Sequence, residues 1–208
     1  WNIKSIALAD DTAILQVHNL YLFAQTNRGI VIIDQHAAHE RILYEEFLHT
    51  FTKKRAQTLA LAQPIELQLP VSEQVFLQEN LELFTELGFS IVVHSEAAST
   101  NENSQKLLVT QIPKLFKTRN IQRLIQELLH DCIVDQKPKE LDVGTHRTLS
   151  YLACRSAIKA GEVLTPQERE SLVQKILNMK GSYTCPHGRP ALVELDIHYL
   201  DQLFKRSK

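Results

Sequence analysis

Of the 208 residues, 44% are apolar and 23% charged, a mix that excludes a disordered tail, a collagen-like repeat and a low-complexity linker. A chain of this length buries roughly 70% of the surface it would expose unfolded, enough for one domain or two modest ones, each with a core. Twenty-three basic against twenty-four acidic side chains leave a formal charge of -1, so no global positive field holds a nucleic-acid backbone, and DNA binding by this chain alone is expected to be weak. No apolar run approaches the roughly 20 residues that span a bilayer, and Trp1-Asn2-Ile3-Lys4 carries neither an initiator Met nor a signal-peptide core. The expectation is an excised part of a longer soluble protein with no membrane partner. Three cysteines, Cys132, Cys154 and Cys185, are too sparse for a secreted disulfide framework and point to a reducing cytoplasm.

In chain order, alternation in Ile14 to Val17 and Tyr21 to Ala24 predicts two short strands forming a hairpin, with a turn at Asn27-Arg28-Gly29. Ile30 to Ile33 is a continuous β-branched run ending at Asp34 and reads as a buried central strand. From His36 past Phe51 apolar residues recur at helical spacing with no Gly or Pro. Ser72 is the expected cap of a helix running to Leu87 and closed by Gly88. Strands at Ser90 to Val93 and Leu107 to Ile112 flank a loop at Ser95 to Ser104. Asn120 precedes an amphipathic helix to about Ile133, and Gln136 to Lys139 reads as a linker. A helix over Thr145 to Ala160 ends at Gly161, and Thr165-Pro166-Gln167-Glu168 spells a capping box for a helix to about Met179. Cys185 to Pro190 is a loop, Ala191 to Ile197 a strand, and His198 to Arg206 a short amphipathic segment. The sum is an α+β chain, sandwich-like, with an αββα subdomain expected over 69–140 between 1–68 and 141–208.

Chemistry concentrates where the buried strand meets its helix. Asp34 ends the strand, and His36 and Glu40 lie four residues apart on one helical face. Imidazole and carboxylate together suit zinc, manganese or iron. Taken alone, the pair reads more readily as an ordinary helix-surface hydrogen bond. Cys185 and His187, two residues apart in a Gly- and Pro-bounded turn, can aim a thiolate and an imidazole at one centre, or be a buried Cys beside a solvated His. Cys154, in Ala153-Cys154-Arg155, reads alone as a core thiol. His-Glu-x-x-His does not occur, which excludes a zincin-type metalloprotease.

Taken together these pieces resemble the C-terminal domain of the MutL DNA mismatch-repair family, in its endonuclease-bearing branch. The pattern D-Q-H-A, two residues, E, four residues, E fits Asp34, Gln35, His36, Ala37, Glu40 and Glu45. The A-C-R element falls on Ala153 to Arg155, C-P-H-G-R-P on Cys185 to Pro190, and F-x-R on Phe204 to Arg206. The resemblance implies a homodimerising endonuclease that nicks one strand of duplex DNA, with Mn2+ catalytic and Zn2+ structural or regulatory. It implies Asp34, His36 and Glu40 as catalytic residues and Asp34, His36, Glu40, Cys154, Cys185 and His187 as the metal set, supported by Glu45, Arg155, Arg189, Phe204 and Arg206. Arg155 and Arg189 contact phosphate or brace the acids, Phe204 and Arg206 close the site or simply pack the terminus, and Cys132 is left as the core thiol. It assigns 1–68 and 141–208 to a dimerisation and endonuclease subdomain and 69–140 to a regulatory insertion. It further implies a replication sliding clamp, a MutS-type mismatch-recognition protein and an N-terminal ATPase domain of the same protein as partners, in a bacterial cytoplasm, associated with the nucleoid during repair.

Gln63-Pro64-Ile65-Glu66-Leu67 resembles this family's clamp-binding peptide, in which Gln63 meets a pocket rim while Ile65 and Leu67 fill apolar pockets. The same alternation equally describes a half-buried strand. Basic clusters at Lys53 to Arg55, Lys114 to Arg119 and Lys137 to Lys139 are solvated faces by default, or line a groove toward the site. The competing reading of the whole chain is a non-catalytic dimerisation or adaptor module with a structural zinc.

Overall fold

A computed structural model describes residues 6–9, 12–53, 57–95, 105–116, 120–134, 141–179 and 183–206. The expected loop over 96–104, the linker at 136–139, the chain start at 1–4 and much of each basic cluster lie outside these residues. The fold is mixed α+β, with two antiparallel sheets and seven α-helices among the described residues. The chain divides into two compact units, 1–45 with 156–208, and 46–155.

The first unit is built on β1 (Leu15–Val17), β2 (Tyr21–Gln25), β3 (Gly29–Asp34) and β7 (Leu192–Asp196), in the order β1-β2-β3-β7. His18 and Asn19 both have positive φ, 52° and 53°, the geometry that reverses the chain tightly between twisted strands. The next turn is held by the Thr26 hydroxyl, which accepts from the N–H groups of Arg28 and Gly29. At Gly29 the strands come so close that an added Cβ would lie 2.2 Å from the Leu195 carbonyl oxygen, so only glycine permits this pairing.

Alternation divides the sheet into two faces. Leu22, Ala24, Val31, Ile33 and Leu192 are buried in one core cluster with Ala37, Ala38 and Ile42 of α1 (Gln35–Lys53) and Leu172, Val173 and Ile176 of α6 (Pro166–Asn178). Each fully buried Val, Leu or Ile side chain here contributes about 1.5–3 kcal/mol, and the alanines less. On the opposite face Leu15, Phe23, Ile32 and Val193 stand in register across all four strands, and Leu15, Val17, Tyr21 and Val193 are exposed.

Helix α6 starts as its sequence dictates: Thr165 and Glu168 form a complete capping box with Pro166 in the first turn. After β7, α7 (Ile197–Leu203) is capped by Asp196, whose carboxylate accepts from Tyr199 N–H.

The second unit holds β4 (Thr58–Leu67), β5 (Ser90–Ser95) and β6 (Gln105–Pro113) in the order β4-β6-β5. Its helices include α2 (Val71–Glu79), α3 (Leu81–Glu86), α4 (Ile121–Val134) and α5 (Leu141–Ser156). Phe47, Phe116, Phe89 and Phe84 form a chain of rings with successive centroids 5.6, 5.7 and 6.1 Å apart. Asn120 caps α4 by accepting from Arg123 N–H, as expected.

Two helix expectations are corrected. The single helix from Ser72 is two helices, α2 starting after Pro70, because Asn80 leaves the helical region at φ -117° and its amide donates back to the Phe76 carbonyl at 2.7 Å. Helix α5 stops at Ser156, four residues before Ala160, because the Ile158 backbone bonds instead to histidines of α1. Cys132 is half-buried, 3.9 Å from the Thr148 hydroxyl, and not a full core thiol. Among the described residues no helix is long and apolar enough to cross a membrane.

Candidate metal centre

The strand-to-helix junction β3–α1 presents the first donors. Asp34 Oδ1 accepts from Ala37 N–H at 2.9 Å, so this carboxylate satisfies one of the first-turn donors of α1. Gln35 is fully buried and donates to the Asn19 carbonyl at 2.7 Å and the Glu162 carbonyl at 3.2 Å. One turn on, His36 Nε2 and Glu40 Oε1 are 3.3 Å apart, with the Glu40 side chain 0% exposed.

The loop after α6 presents the rest. Cys185 N–H donates to the Arg189 carbonyl and Gly188 N–H to the Cys185 carbonyl, closing a tight turn in which Gly188 takes φ 83°. The turn is tied to the strand through Asp34 N–H, which donates to the Ala191 carbonyl. It brings Cys185, buried, and His187, exposed, to Glu40: one ligand atom from each of the three lies within 4.8 Å of the others. His187 Nδ1 is 3.8 Å and Arg189 Nη2 3.2 Å from Glu40 Oε2. A hydrogen bond with Cys185 is the main cause that holds the Arg189 guanidinium above its ordinary pKa; burial works against it, and the Glu40 charge adds to the rise.

The other sequence candidates have the following places. Asp34 is not in this three-residue group. Glu45 pairs with Arg41 on α1. Cys154 and Arg155 lie near the end of α5, in the second unit. Arg155 is engaged there by a two-pronged bond to Asp131 of α4, both contacts at 2.9 Å. Burial works against its charge, but the Asp131 bond and the Asp131 and Glu127 charges raise its pKa overall. Phe204 is 72% exposed beyond the end of α7, and Arg206 is also exposed. Gln63 is exposed, Ile65 half-buried and Leu67 buried on β4, an edge strand whose register with β6 shifts between Ala60 and Ile65. Sequence reasoning missed the role of His39, which accepts from Ile158 N–H at 2.9 Å. It also missed Gln16, which donates to Gln35 and Glu162.

A family profile described as the MutL C terminal dimerisation domain matches residues 14–164. The chain belongs to the MutL C-terminal dimerisation-domain family. Similar proteins carry the same name over a longer reach. The DNA mismatch repair protein MutL of Coxiella burnetii (strain Dugway 5J108-111) is 33% identical over 196 residues, covering 94% of this chain and 33% of that protein. The one from Clostridium botulinum (strain Kyoto / Type A2) is 30% identical over 191 residues, covering 92% of this chain and 27% of that protein. The chain therefore spans about a quarter to a third of the length of these MutL relatives.

Proposed function

We propose that this chain is the homodimerising, DNA-nicking portion of a mismatch-repair protein, with Glu40 at the centre of its metal site. The observation that carries this reading is a fully buried carboxylate facing two imidazoles, a buried thiol and one guanidinium. A charge so buried is stable only when paired or metal-bound.

The donor chemistry fits the ions. Cys185, His187 and Glu40 offer sulfur, nitrogen and oxygen, a set suited to Zn2+. Asp34, His36 and Glu40 are the harder set suited to Mn2+, and Cys154 joins the proposed ligands through the A-C-R motif. When bound, such ions acidify a coordinated water and neutralise charge on a phosphodiester. The chain's own contribution is orientation. Arg189 fixes one oxygen of Glu40, the Ile158 carbonyl fixes the His36 ring, and the Gly188 turn presents Cys185 and His187 together.

The exposed row of Leu15, Val17, Tyr21 and Val193 supports homodimerisation, because a contiguous apolar sheet face is costly to leave in water. Gln63 and Ile65 at the edge of their sheet are the accessible part of the proposed sliding-clamp contact; buried Leu67 anchors the strand. Duplex DNA, a MutS-type protein and the N-terminal ATPase domain complete the proposed partners, and the near-neutral charge means that DNA reaches the site by recruitment.

The test is nicking of supercoiled plasmid by the full-length protein with Mn2+. Asp34→Asn and Glu40→Gln are expected to abolish nicking with the circular dichroism and dimer mass unchanged; undiminished nicking by both overturns the reading. Chelation and Cys185→Ser separate the adaptor alternative, in which an ion lowers melting temperature and dimer yield when lost but no variant nicks.

A further inference from the structure

We infer that His39 is a positioning residue that acts through the backbone of Ile158 to hold His36 in the tautomer whose Nε2 lone pair faces Glu40. The inference rests on the metal-site reading for its purpose, but its geometry stands on hydrogen-bond direction alone.

An amide N–H can only donate, so His39 Nδ1, 2.9 Å from Ile158 N, is the lone-pair nitrogen of its ring and the proton sits on Nε2. A carbonyl can only accept, so His36 Nδ1, 2.8 Å from Ile158 O, carries the proton. The neutral His36 ring then presents its Nε2 lone pair, 3.3 Å from Glu40 Oε1. Two electron-rich atoms facing each other at this separation are an arrangement that a bound cation stabilises.

One residue, Ile158, thus sets both rings. The two histidines are three apart on α1, so they share a face, and Ile158 meets that face with both of its backbone polar groups. The rest of the segment is pinned independently. Gln35 and Gln16 donate to the Glu162 carbonyl at 3.2 and 2.8 Å, Gly161 N–H donates to the Asn19 carbonyl at 3.0 Å, and Leu164 N–H donates to Gln16 Oε1 at 3.0 Å. Removing the His39 acceptor leaves Ile158 N–H to find another partner, and the rotation that satisfies it carries the Ile158 carbonyl off His36 Nδ1.

The experiment is long-range proton–nitrogen correlation of the histidine rings in the full-length protein at about pH 8, where an unperturbed imidazole is neutral, joined to titration with Zn2+ alone. The wild type is expected to show His36 as the Nδ1–H and His39 as the Nε2–H tautomer. His39→Phe is expected to shift His36 toward Nε2–H and to weaken Zn2+ binding by about 10- to 100-fold. His39→Asn, whose amide oxygen accepts near the position of Nδ1, is expected to retain both the tautomer and the affinity. A wild-type His36 in the Nε2–H form, or a His36 tautomer unchanged in folded His39→Phe, overturns the inference. Should His39→Phe fail to fold, the wild-type tautomers decide it. A wild type that binds no Zn2+ but shows the expected tautomer pair removes the metal-site reading and leaves the positioning relation standing.

Discussion

Arg189 Nη2 donates to Glu40 Oε2 at 3.2 Å across 149 residues of sequence, joining the turn of the C-P-H-G-R-P element to the helix of the D-Q-H-A element. The guanidinium is 57% exposed and the carboxylate 0%, so the bond's value lies in keeping a buried charge partnered more than in Coulomb attraction across water. Arg189→Gln is expected to lower stability by about 1–3 kcal/mol, toward the lower end because solvent screens the guanidinium. Urea unfolding measures this. Adding Glu40→Gln should recover part of the loss by removing the charge itself, and strictly additive effects would show the two residues to be uncoupled.

Gly29→Ala should be far more damaging than a surface strand substitution. The new methyl would meet Leu195 O at 2.2 Å and Asp196 Cα at 2.8 Å, backbone atoms with no rotamer to yield. Separation of β3 from β7 at this end is expected to cost about 2–3 kcal/mol, read as a lower thermal midpoint together with faster amide exchange at Ile30 and Leu195. Unaltered exchange there would contradict the close approach.

The start of α6 carries a pH dependence with a defined sign. The Thr165 backbone N–H, followed by its hydroxyl, donates to Glu168 and holds its carboxyl below the ordinary 4.5. A group depressed in the folded state gives stability that is present above its unfolded pKa and is lost as pH falls through its folded pKa. Glu168→Gln should therefore flatten the stability profile only in the acid limb, from about pH 4.5 downward, and leave the shape near neutrality unchanged. Thr165→Ala should cost about 1 kcal/mol at neutral pH through loss of the cap. Thermal unfolding across a pH series checks both.

For the outer sheet face, Val17→Lys with Tyr21→Glu is expected to convert the protein to monomer in sedimentation velocity. Both side chains are exposed, so the fold of each protomer should persist, with melting within about 1 kcal/mol of the wild type. A variant that remains dimeric places the interface elsewhere.

Elements with strong local signals were legible in the sequence. The β-branched run of β3, the uninterrupted periodicity of α1 and the Thr165 capping box each state their own structure. What was not legible depends on backbone atoms remote in sequence. Helix α5 ends early because Ile158 is claimed by His36 and His39, 122 and 119 residues away, and no propensity at Ala157 to Ala160 announces that. The break at Asn80 is a local competition that a helical pattern of apolar residues masks. For the candidate site, Glu40, Cys185 and His187 were readable as donors by type and spacing, but the guanidinium partner of Glu40 and the bracing of its neighbours were not. Arg155 was readable as a fork for an acid, but that the acid is Asp131 of α4 was not.

The first unit is assembled from two stretches separated by the whole of the second, and this orders events during synthesis. β3 emerges with one edge bare and stays so until β7 follows, as their register joins Gly29 to Asp196 and Ile33 to Leu192. Pairings so distant form late and leave an unpaired edge open to wrong partners in the interval. Glu40 is made in the first of these stretches, whereas Cys185 and His187 follow in the second. A chain interrupted between the two stretches therefore holds the acid without the thiol and imidazole of the Cys185 turn, and the group of three forms only once the second stretch has been made.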